Sequence, residues 1–163
     1  MLAIFYYLGF ELTSSHPILV INGPNLNMLG VREPELYGSD TLNDIQIACA
    51  ERATEAGESI DFRQSNSEAE ILGWLQAARN DSIGIIINPA AFTHTSVAIL
   101  DALIITELPI IEVHITNIFN RESFRQHSYI SQAATGVISG FGSYGYVLAI
   151  DALIQLIRPK KET

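Results

Sequence analysis

Short runs of β-branched and other apolar residues alternate along this chain with longer stretches in which apolar residues recur at helical spacing. The short runs predict strands at Ile18–Ile21, Ile60–Gln64, Ile83–Asn88, Ile110–Ile115 and Gly136–Ser139. The stretches between them predict helices over Leu42–Ala56, Glu68–Arg79, Val97–Thr106, Glu122–Ile130 and Tyr144–Ile157. Apolar strands that alternate with helices are typical of a parallel sheet covered on both faces. The pattern therefore predicts an α/β three-layer sandwich, with a flavodoxin-like five-stranded parallel sheet in order 2-1-3-4-5 as the expected topology.

Local signals support the predicted helix starts. The segments Thr41–Asp44 and Ser67–Glu70 each fit a capping box, in which a hydroxyl and a carboxylate satisfy the first amides of a helix. No internal repeat or linker interrupts the pattern, so we expect one domain over residues 18–158. Residues 1–17 are expected to form an N-terminal extension, which lacks the basic flank and cleavage site of a signal peptide, and residues 159–163 a short tail.

The fourth predicted strand carries two ionisable side chains in an otherwise apolar run. Glu112 and His114 are two residues apart, so they point to the same face of the sheet. Burying a carboxylate and an imidazole costs free energy unless the two groups are paired. Two interpretations are open at this point: a structural pair that satisfies itself, or a pair that takes part in chemistry.

Polar residues follow the first, third and fourth predicted strands, where ligands bind in a sheet of this kind. They are Asn22–Asn25 after the first strand, Asn88 and His94 after the third, and Thr116, Arg121 and Arg125 after the fourth. The helix that begins near Thr95 and Ser96 could attract an anion to its N-terminus, or these hydroxyls could act as ordinary caps. Because strands 1, 3 and 4 are neighbours in the expected order, the polar groups are predicted to converge on one crevice.

The loop Asn22–Gly38 is longer than an ordinary connection from a strand to a helix, a length that is typical of lids. It contains Arg32 and Tyr37. A phenol acts as a base near neutral pH only if its pKa is lowered, and a nearby guanidinium has the right charge to lower it. The alternative is that Tyr37 only packs against its neighbours and Arg32 is solvated.

Composition narrows the classes of function. The net charge is -9 with no basic run beyond Lys160–Lys161, which argues against binding to nucleic acid or to an anionic membrane. A positive pocket inside an acidic shell stays open as a possibility. Only 17% of the residues are charged and 48% are hydrophobic, so we expect other subunits to cover part of the surface. The single cysteine, Cys49, lies in a helical pattern and fits a buried side chain in a cytoplasmic protein.

The segment Gly140–Gly145 formally matches the G-x-G-x-x-G fingerprint of dinucleotide-binding proteins. That fingerprint belongs to the first turn between a strand and a helix, whereas only one helix remains after this segment. Close packing of a strand against a helix is the better interpretation. No P-loop, zinc-type Cys/His spacing or G-x-S-x-G elbow occurs, so nothing in the sequence requires a metal or a nucleotide cofactor.

Five strings of residues, in this order along the chain, carry a resemblance to a known enzyme family. They are Gly23-Pro-Asn-Leu-Asn-Met-Leu-Gly30, Arg32-Glu-Pro-Glu-Leu-Tyr-Gly38, Asn88-Pro-Ala-Ala-Phe-Thr-His-Thr-Ser96, Glu112-Val-His114 and Arg121-Glu-Ser-Phe-Arg-Gln-His-Ser-Tyr129. They resemble the motifs of type II 3-dehydroquinate dehydratase, over a match that runs from about Ile18 to Ile157. The resemblance implies a flavodoxin-like fold, a dodecamer built from trimers, and neither a metal, another cofactor nor a Schiff-base lysine. It also implies anti elimination of water from 3-dehydroquinate through an enolate, in the shikimate pathway or in quinate breakdown.

The resemblance implies catalytic roles as well. Tyr37 would be the base that removes the C2 proton, with Arg32 lowering its pKa. Asn25 would hold a water that stabilises the enolate oxygen. His114 would protonate the departing hydroxyl, oriented and charged by Glu112. The residues alone agree with this assignment, because elimination beside a ketone needs a base, an oxyanion stabiliser and an acid.

The positions that the resemblance assigns to substrate binding come from several elements. They are Asn88, Ile115 and Thr116 for the carboxylate, His94 and Arg125 for ring hydroxyls, and Asp101 reaching in from a neighbouring subunit. Three positions depart from the usual family pattern: Thr116 stands for serine, Phe119-Asn120 for His-Ala, and Leu100 for an arginine. Two functions of other classes are a flavin-binding electron carrier, which would need a first loop rich in Ser and Thr, and a carboxylate-binding module, which would need no separate acid and base.

Overall fold

The computed structural model describes residues 16–30 and 39–158 of the chain, and these contain one five-stranded sheet. The strands are β1 (Ile18–Asn22), β2 (Ile60–Gln64), β3 (Gly84–Asn88), β4 (Ile110–His114) and β5 (Gly136–Ser139). Neighbouring strands run parallel, in the order β2-β1-β3-β4-β5. The predicted topology is confirmed, and each predicted strand end lies within one residue of the observed end.

Helices cover both faces of the sheet. They are α1 (Leu42–Glu55), α2 (Glu68–Asp81), α3 (Val97–Thr106) and α4 (Tyr144–Ile157). α1 packs with α4 on one face, and α2 packs with α3 on the other. Because successive side chains of a strand point to opposite faces, the sheet contributes to two separate hydrophobic cores. Val20 and Val113 pack under α1 and α4, and Ile21 packs under α2 and α3. On β4, the same alternation directs Glu112 and His114 to one face of the sheet, as predicted, and this is the face covered by α2 and α3.

One predicted capping box forms completely and the other only in part. At α1, the Thr41 hydroxyl accepts from the Asp44 amide at 3.2 Å, and the Asp44 carboxylate accepts from the Thr41 amide at 2.8 Å. At α2, the Ser67 hydroxyl accepts from the Glu70 amide at 3.4 Å. The Glu70 carboxylate instead accepts a hydrogen bond from the hydroxyl of Ser65, the first residue after β2, and this contact replaces the return half of that box.

The helix predicted over Glu122–Ile130 is wrong. Two short 3-10 turns stand in this region, Ser123–Arg125 and Ile130–Gln132. The reason is tertiary: the Ser128 hydroxyl donates to the Glu112 carboxylate, and the Tyr129 amide donates to the carbonyl of Thr93 at 3.0 Å. Because a helical amide pairs within its own segment, these contacts with other elements replace the local ladder that the periodicity favours.

Some of the predicted features fall on parts of the chain that the structure does not describe. Arg32 and Tyr37 lie outside the described residues, as do the tail at 159–163 and all but the last two residues of the extension predicted over 1–17. Within the described ranges, no helix has both the length and the apolar character to cross a membrane. Over the same residues, no group of three or more His, Cys, Asp or Glu side chains is arranged to hold a metal ion. Cys49 is buried, as predicted.

Candidate active site

A cavity of about 130 Å³ opens at the carboxyl ends of β1, β3 and β4, where the sequence predicted a crevice. Its wall brings together these predicted site residues: Asn25, Asn88, His94, His114, Ile115, Thr116 and Arg125. Arg121 and the apolar side chains of Leu26, Met28, Leu29 and Ile118 also line it. Two arginines and two histidines line the space, and the described lining contains no carboxylate. Glu122 pairs with both arginines, Arg121 at 3.5 Å and Arg125 at 2.9 Å, so two guanidinium groups share one carboxylate. A chain of net charge -9 therefore holds a cavity whose own lining suits an anionic ligand group.

Glu112 and His114 form a buried pair at the end of β4. The exposed fraction of Glu112 is 0% and that of His114 is 5%, and His114 Nε2 lies 2.7 Å from Glu112 Oε1. His114 lines the cavity whereas Glu112 lies behind it. A bound ligand therefore meets the imidazole, and the carboxylate acts on the ligand only through that ring.

Two serines hold the Glu112 carboxylate from the side opposite the strand. Ser128 donates to Oε1 at 2.7 Å, and Ser131 donates to Oε2 at 2.5 Å. Burial by itself raises the pKa of Glu112, but hydrogen bonds from His114, Ser131 and Ser128 and the charge of His114 outweigh it. The pKa of Glu112 therefore lies below its ordinary value, and the group presents a full negative charge to the His114 ring at neutral pH.

His94 lies half-buried at the mouth of the cavity. Its Nδ1 donates to the carbonyl of His127 at 2.7 Å, which leaves Nε2 as the free ring nitrogen. Burial lowers the pKa of His94, with the nearby His114 and Arg125 adding to the effect, so the ring is neutral at pH 7. Its Nε2 can then accept a hydrogen bond from a ligand hydroxyl. Of the two caps considered for the following helix, Ser96 is the one observed, because its hydroxyl accepts from the Ile99 amide at 2.9 Å.

The loop after β1 brings Asn25 to the cavity through a close approach of two backbones. The amide of Gly23 donates to the carbonyl of Asn88 at 2.8 Å, and a Cβ at position 23 would lie only 2.3 Å from the carbonyl oxygen of Pro89. Glycine is therefore required at position 23. Asn25 itself adopts a left-handed conformation with φ of 68°, and its amide donates to Asn66 Oδ1 at 2.9 Å. The loop conformation thus leaves the Asn25 side chain at the cavity.

The glycine-rich segment before α4 hydrogen-bonds to the backbone that forms the cavity wall at the end of β4. The amide of Gly140 donates to the carbonyl of His114 at 3.1 Å, and that of Gly142 donates to the carbonyl of Ile115 at 2.9 Å. Gly140 has φ of 93° and packs against the backbone of Asn117, so a side chain there would be strained and crowded. The G-x-G-x-x-G match thus serves the packing of this wall.

Arginine side chains complete the cationic side of the cavity. Arg121 Nη1 donates to the Thr116 hydroxyl at 3.2 Å, so that hydroxyl is oriented by a guanidinium. Arg125 Nη1 forms an ion pair with Glu122 at 2.9 Å, and its guanidinium carbon lies 4.6 Å from the centre of the Phe124 ring. Both contacts are made by the guanidinium group of Arg125, whose side chain also lines the cavity.

The structure separates Asp101 from the cavity of its own chain. Asp101 is an exposed residue of α3 and does not line the cavity. Its expected action on a neighbouring subunit stays a prediction. The predicted base Tyr37 and its partner Arg32 lie outside the described residues.

Sequence reasoning missed residues that support the site from behind. Ser128 and Ser131 went unnoticed because they lay in and beside the segment predicted as a helix, where hydroxyls fit a solvated face. Tyr146 was not singled out, since its position in an apolar helix fits an ordinary core residue. The spacing Ser128-x-x-Ser131 beside a buried strand carboxylate was the one signal available for the serines.

The topology puts the chain among flavodoxin-like α/β proteins, a class in which ligands bind beyond the carboxyl ends of the strands. Comparison of the whole sequence narrows this class. Residues 16–154 match the family described as dehydroquinase class II, and the chain belongs to that family.

Relatives and solved structures agree with the family. The chain is 55% identical over 141 residues to a 3-dehydroquinate dehydratase of Streptomyces coelicolor, which covers 86% of this chain and 90% of the relative. It is 56% identical over 134 residues to 3-dehydroquinate dehydratase 2 of Pseudomonas aeruginosa, covering 82% of this chain and 90% of the relative. The crystal structure of a type II dehydroquinase from Propionibacterium acnes superposes with a TM-score of 0.82 at 46% identity, covering 86% of this chain and 99% of that one.

Proposed function

We propose that this chain is a hydro-lyase that removes water from 3-dehydroquinate to give 3-dehydroshikimate. The observation that carries the proposal is the buried His114–Glu112 pair, of which only His114 lines the cavity. The chain that holds this pair belongs to the class II dehydroquinase family. Two relatives of 55% and 56% identity bear the name 3-dehydroquinate dehydratase. The substrate is a carboxylate, which suits the charge of the cavity. The route is an anti elimination through an enolate, within the shikimate pathway or quinate breakdown.

His114 is the proposed acid. Its Nε2 is committed to Glu112, so it delivers a proton to the departing hydroxyl through Nδ1. The ionised Glu112 stabilises the positive charge that the ring carries before this transfer. The support for this assignment is the buried position of the carboxylate and the exposure of the ring to the cavity.

Tyr37 is the proposed base, with Arg32 lowering the pKa of its phenol. Asn25 holds a water against the enolate oxygen that forms when the C2 proton leaves. Support for the Asn25 role is its position in the cavity wall. The roles of Tyr37 and Arg32 rest on the motif that they share with the family, in the segment of sequence that follows the cavity-lining Leu29.

The proposed substrate contacts come from hydrogen-bonding and charged groups in the cavity wall. The carboxylate is bound by the Asn88 side chain and by the backbone and hydroxyl at Ile115 and Thr116. The neutral His94 and the cationic Arg125 bind ring hydroxyls. The position of each of these residues in the cavity wall supports the proposal, and the direction of the His94 pKa shift supports a role as acceptor.

We further propose that the chain works as a homo-oligomer, a dodecamer built from trimers. The support is an apolar stripe along α3, where Val97, Ile104 and Ile105 are 50%, 56% and 53% exposed. These residues and Asp101 share one side of the helix, because they are spaced at i, i+4, i+7 and i+8. Several exposed apolar side chains on one side of a helix are typical of an interface. A subunit seated on the stripe would bring its cavity to Asp101.

We also propose a cytoplasmic location. The chain has one cysteine, which is buried in the described fold, so it needs no oxidising compartment for a disulfide framework within the chain. Fractionation of cells that express the tagged chain would test this proposal, and recovery from a secreted or membrane fraction would contradict it.

The test of the activity is a spectrophotometric assay of the purified protein with 3-dehydroquinate, which follows the conjugated enone of the product without added metal or cofactor. We expect rapid product formation that persists in the presence of a chelator. A folded, oligomeric protein that forms no product would reject the proposed reaction and make a carboxylate-binding role the better explanation.

Two variants and one reagent test the assigned roles. Tyr37→Phe removes only the proton acceptor, so it should abolish turnover, and appreciable residual kcat would reject Tyr37 as the base. His114→Ala should likewise collapse kcat, and near-normal activity would assign the acid to another group. Borohydride added with substrate should leave the enzyme active, since no imine forms on this route.

A further inference from the structure

A buried phenol joins two asparagines beneath the candidate active site. Tyr146, at the start of α4, is 0% exposed. Its hydroxyl donates to Asn22 Oδ1 at 2.7 Å and accepts from Asn88 Nδ2 at 2.9 Å. Asn22 is in turn anchored by its own Nδ2, which donates to the carbonyl of Arg63 at 3.0 Å. The chain of hydrogen bonds runs from β2 through β1 and α4 to the end of β3.

This network fixes which groups Asn88 can offer to a ligand. Asn88 Oδ1 accepts from the amide of Ala90 at 3.2 Å, and one Nδ2 hydrogen is used by the Tyr146 hydroxyl. Of the side-chain amide hydrogens, only the second on Nδ2 is left, and Asn88 lines the cavity. Asn88 therefore has one unused N–H donor, which suits an acceptor such as a carboxylate oxygen.

We propose that Tyr146 is a positioning residue, which holds the Asn88 amide so that its remaining N–H points to the substrate carboxylate. The proposal rests on the function proposed above, since it names the carboxylate of that substrate as the ligand group. Because Asn22 Nδ2 donates to the carbonyl of Arg63, Asn22 turns its Oδ1 to Tyr146 and takes the phenol proton. The phenol oxygen can then only accept from Asn88, so it holds the Nδ2 side of that amide, while the amide of Ala90 holds the Oδ1 side.

The burial of Tyr146 keeps the network neutral. Burial raises the pKa of its phenol, so the hydroxyl keeps its proton over the working range of pH and remains a donor to Asn22. The rest of α4 around it is apolar, with Ala149, Ile150 and Leu153 fully buried in the same core. A phenylalanine would satisfy that core equally well, so packing does not explain the hydroxyl.

The experiment compares Tyr146→Phe with the unchanged protein in steady-state kinetics. The carboxylate is bound in the ground state and in the transition state alike, so the loss of its oriented donor should raise KM by about tenfold while kcat changes by less than about threefold.

Thr106→Val is the matched control. Thr106 is also buried, and its hydroxyl donates to the carbonyl of Leu103 at 2.7 Å at the opposite end of α3 from the cavity. We expect it to lose stability without a change in KM.

A double-mutant cycle separates positioning from general destabilisation. If Tyr146 acts through Asn88, Tyr146→Phe should add nothing to the KM of Asn88→Ala, because the group that it orients is already absent. The methyl ester of 3-dehydroquinate gives a second readout, since Tyr146→Phe should weaken discrimination between acid and ester. Additive effects on KM, or unchanged discrimination, would overturn the proposal.

A measurement on the unchanged protein keeps the proposal testable if Tyr146→Phe does not fold. In ¹⁵N-labelled protein, the two side-chain amide protons of Asn88 should differ, with one protected from exchange by the phenol. Quinate at saturating concentration should shift the other proton. Equal exchange of the two protons would overturn the proposal, whether or not the protein dehydrates 3-dehydroquinate. Lack of turnover with normal protection would instead count against the proposed function alone.

Discussion

Ser131 donates a hydrogen bond to Glu112 across 19 residues of chain, and the distance between Ser131 Oγ and Glu112 Oε2 is 2.5 Å. The contact gives the buried carboxylate a donor on the oxygen that His114 does not use. Together with Ser128, it accounts for a pKa of Glu112 below the ordinary value in spite of complete burial. The charge behind the proposed acid therefore depends on the connection between β4 and β5.

Ser131→Ala should move the acid side of the pH–rate profile. The variant removes one of the donors that lower the pKa of Glu112, so the carboxylate takes up a proton at a higher pH than in the unchanged chain. We expect the acidic limb of kcat to shift upward by about one pH unit, with smaller changes at neutral pH. Thr54→Val is a control, because the Thr54 hydroxyl donates only to the carbonyl of Ala50 on exposed α1. Coincident profiles for Ser131→Ala and the unchanged protein would contradict the assignment.

The same carboxylate should make stability depend on pH. Because the pKa of Glu112 is lower in the folded state than its ordinary value of 4.5, the unfolded chain binds more protons between these two values. Its contribution to stability is present above pH 4.5 and is lost as the pH falls through the folded-state pKa. Glu112→Gln removes this titration, so its free energy of unfolding should fall less steeply with acid. Urea titrations at a series of pH values measure the difference, and parallel curves would refute it.

Replacement by alanine should have opposite effects on stability at Gly23 and at Gly73. Gly23→Ala puts a Cβ 2.3 Å from the carbonyl oxygen of Pro89, so the loops after β1 and β3 have to separate. We expect a loss of at least about 2 kcal/mol of stability and a higher KM, because Asn25 and Asn88 move apart. Gly73→Ala is the matched control within α2, where an added Cβ meets nothing within 4 Å, and it should stabilise by about 0.5–1 kcal/mol. Thermal unfolding measures both, and equal shifts would contradict the close-approach argument.

The fold was predictable from the sequence because its signals are local. Strands buried on both faces need apolar runs, and such runs marked β1, β3 and most of β4. The half-buried edge strands β2 and β5 are less apolar, yet all five strands were predicted to within one residue. The region Glu122–Ile130 was mispredicted for the opposite reason. Its hydroxyls and amides bind β4 and the turn after β3, and a periodicity within one segment carries no information about partners elsewhere in the chain.

The candidate site also contains residues that the sequence predicted and residues that it did not. His114, Asn88 and the other cavity-lining residues were found because parallel strands bring their carboxyl ends to one edge. Ser131 and Tyr146 were missed because each contacts a site residue that is distant along the chain. Ser131 bonds to Glu112 and Tyr146 to Asn88. The base assigned to Tyr37 stays a prediction, because it lies outside the described residues.

The apolar stripe of α3 gives the last prediction. Ile105 is 53% exposed, and in the proposed assembly it is covered by another subunit. Ile105→Glu would bury a carboxylate in that contact, which costs several kcal/mol unless the contact opens. We expect light scattering after size exclusion to show smaller species, with lower activity because Asp101 no longer reaches a neighbouring cavity.

Ile47→Glu is the matched control for Ile105→Glu, because Ile47 is the same residue type at 49% exposure on α1, on the opposite face of the sheet. It should keep both the assembly and the activity. If both variants dissociate, the stripe has no special role. If Ile105→Glu stays assembled and active, the interface lies elsewhere, and the proposed contribution of Asp101 to a second subunit loses its support.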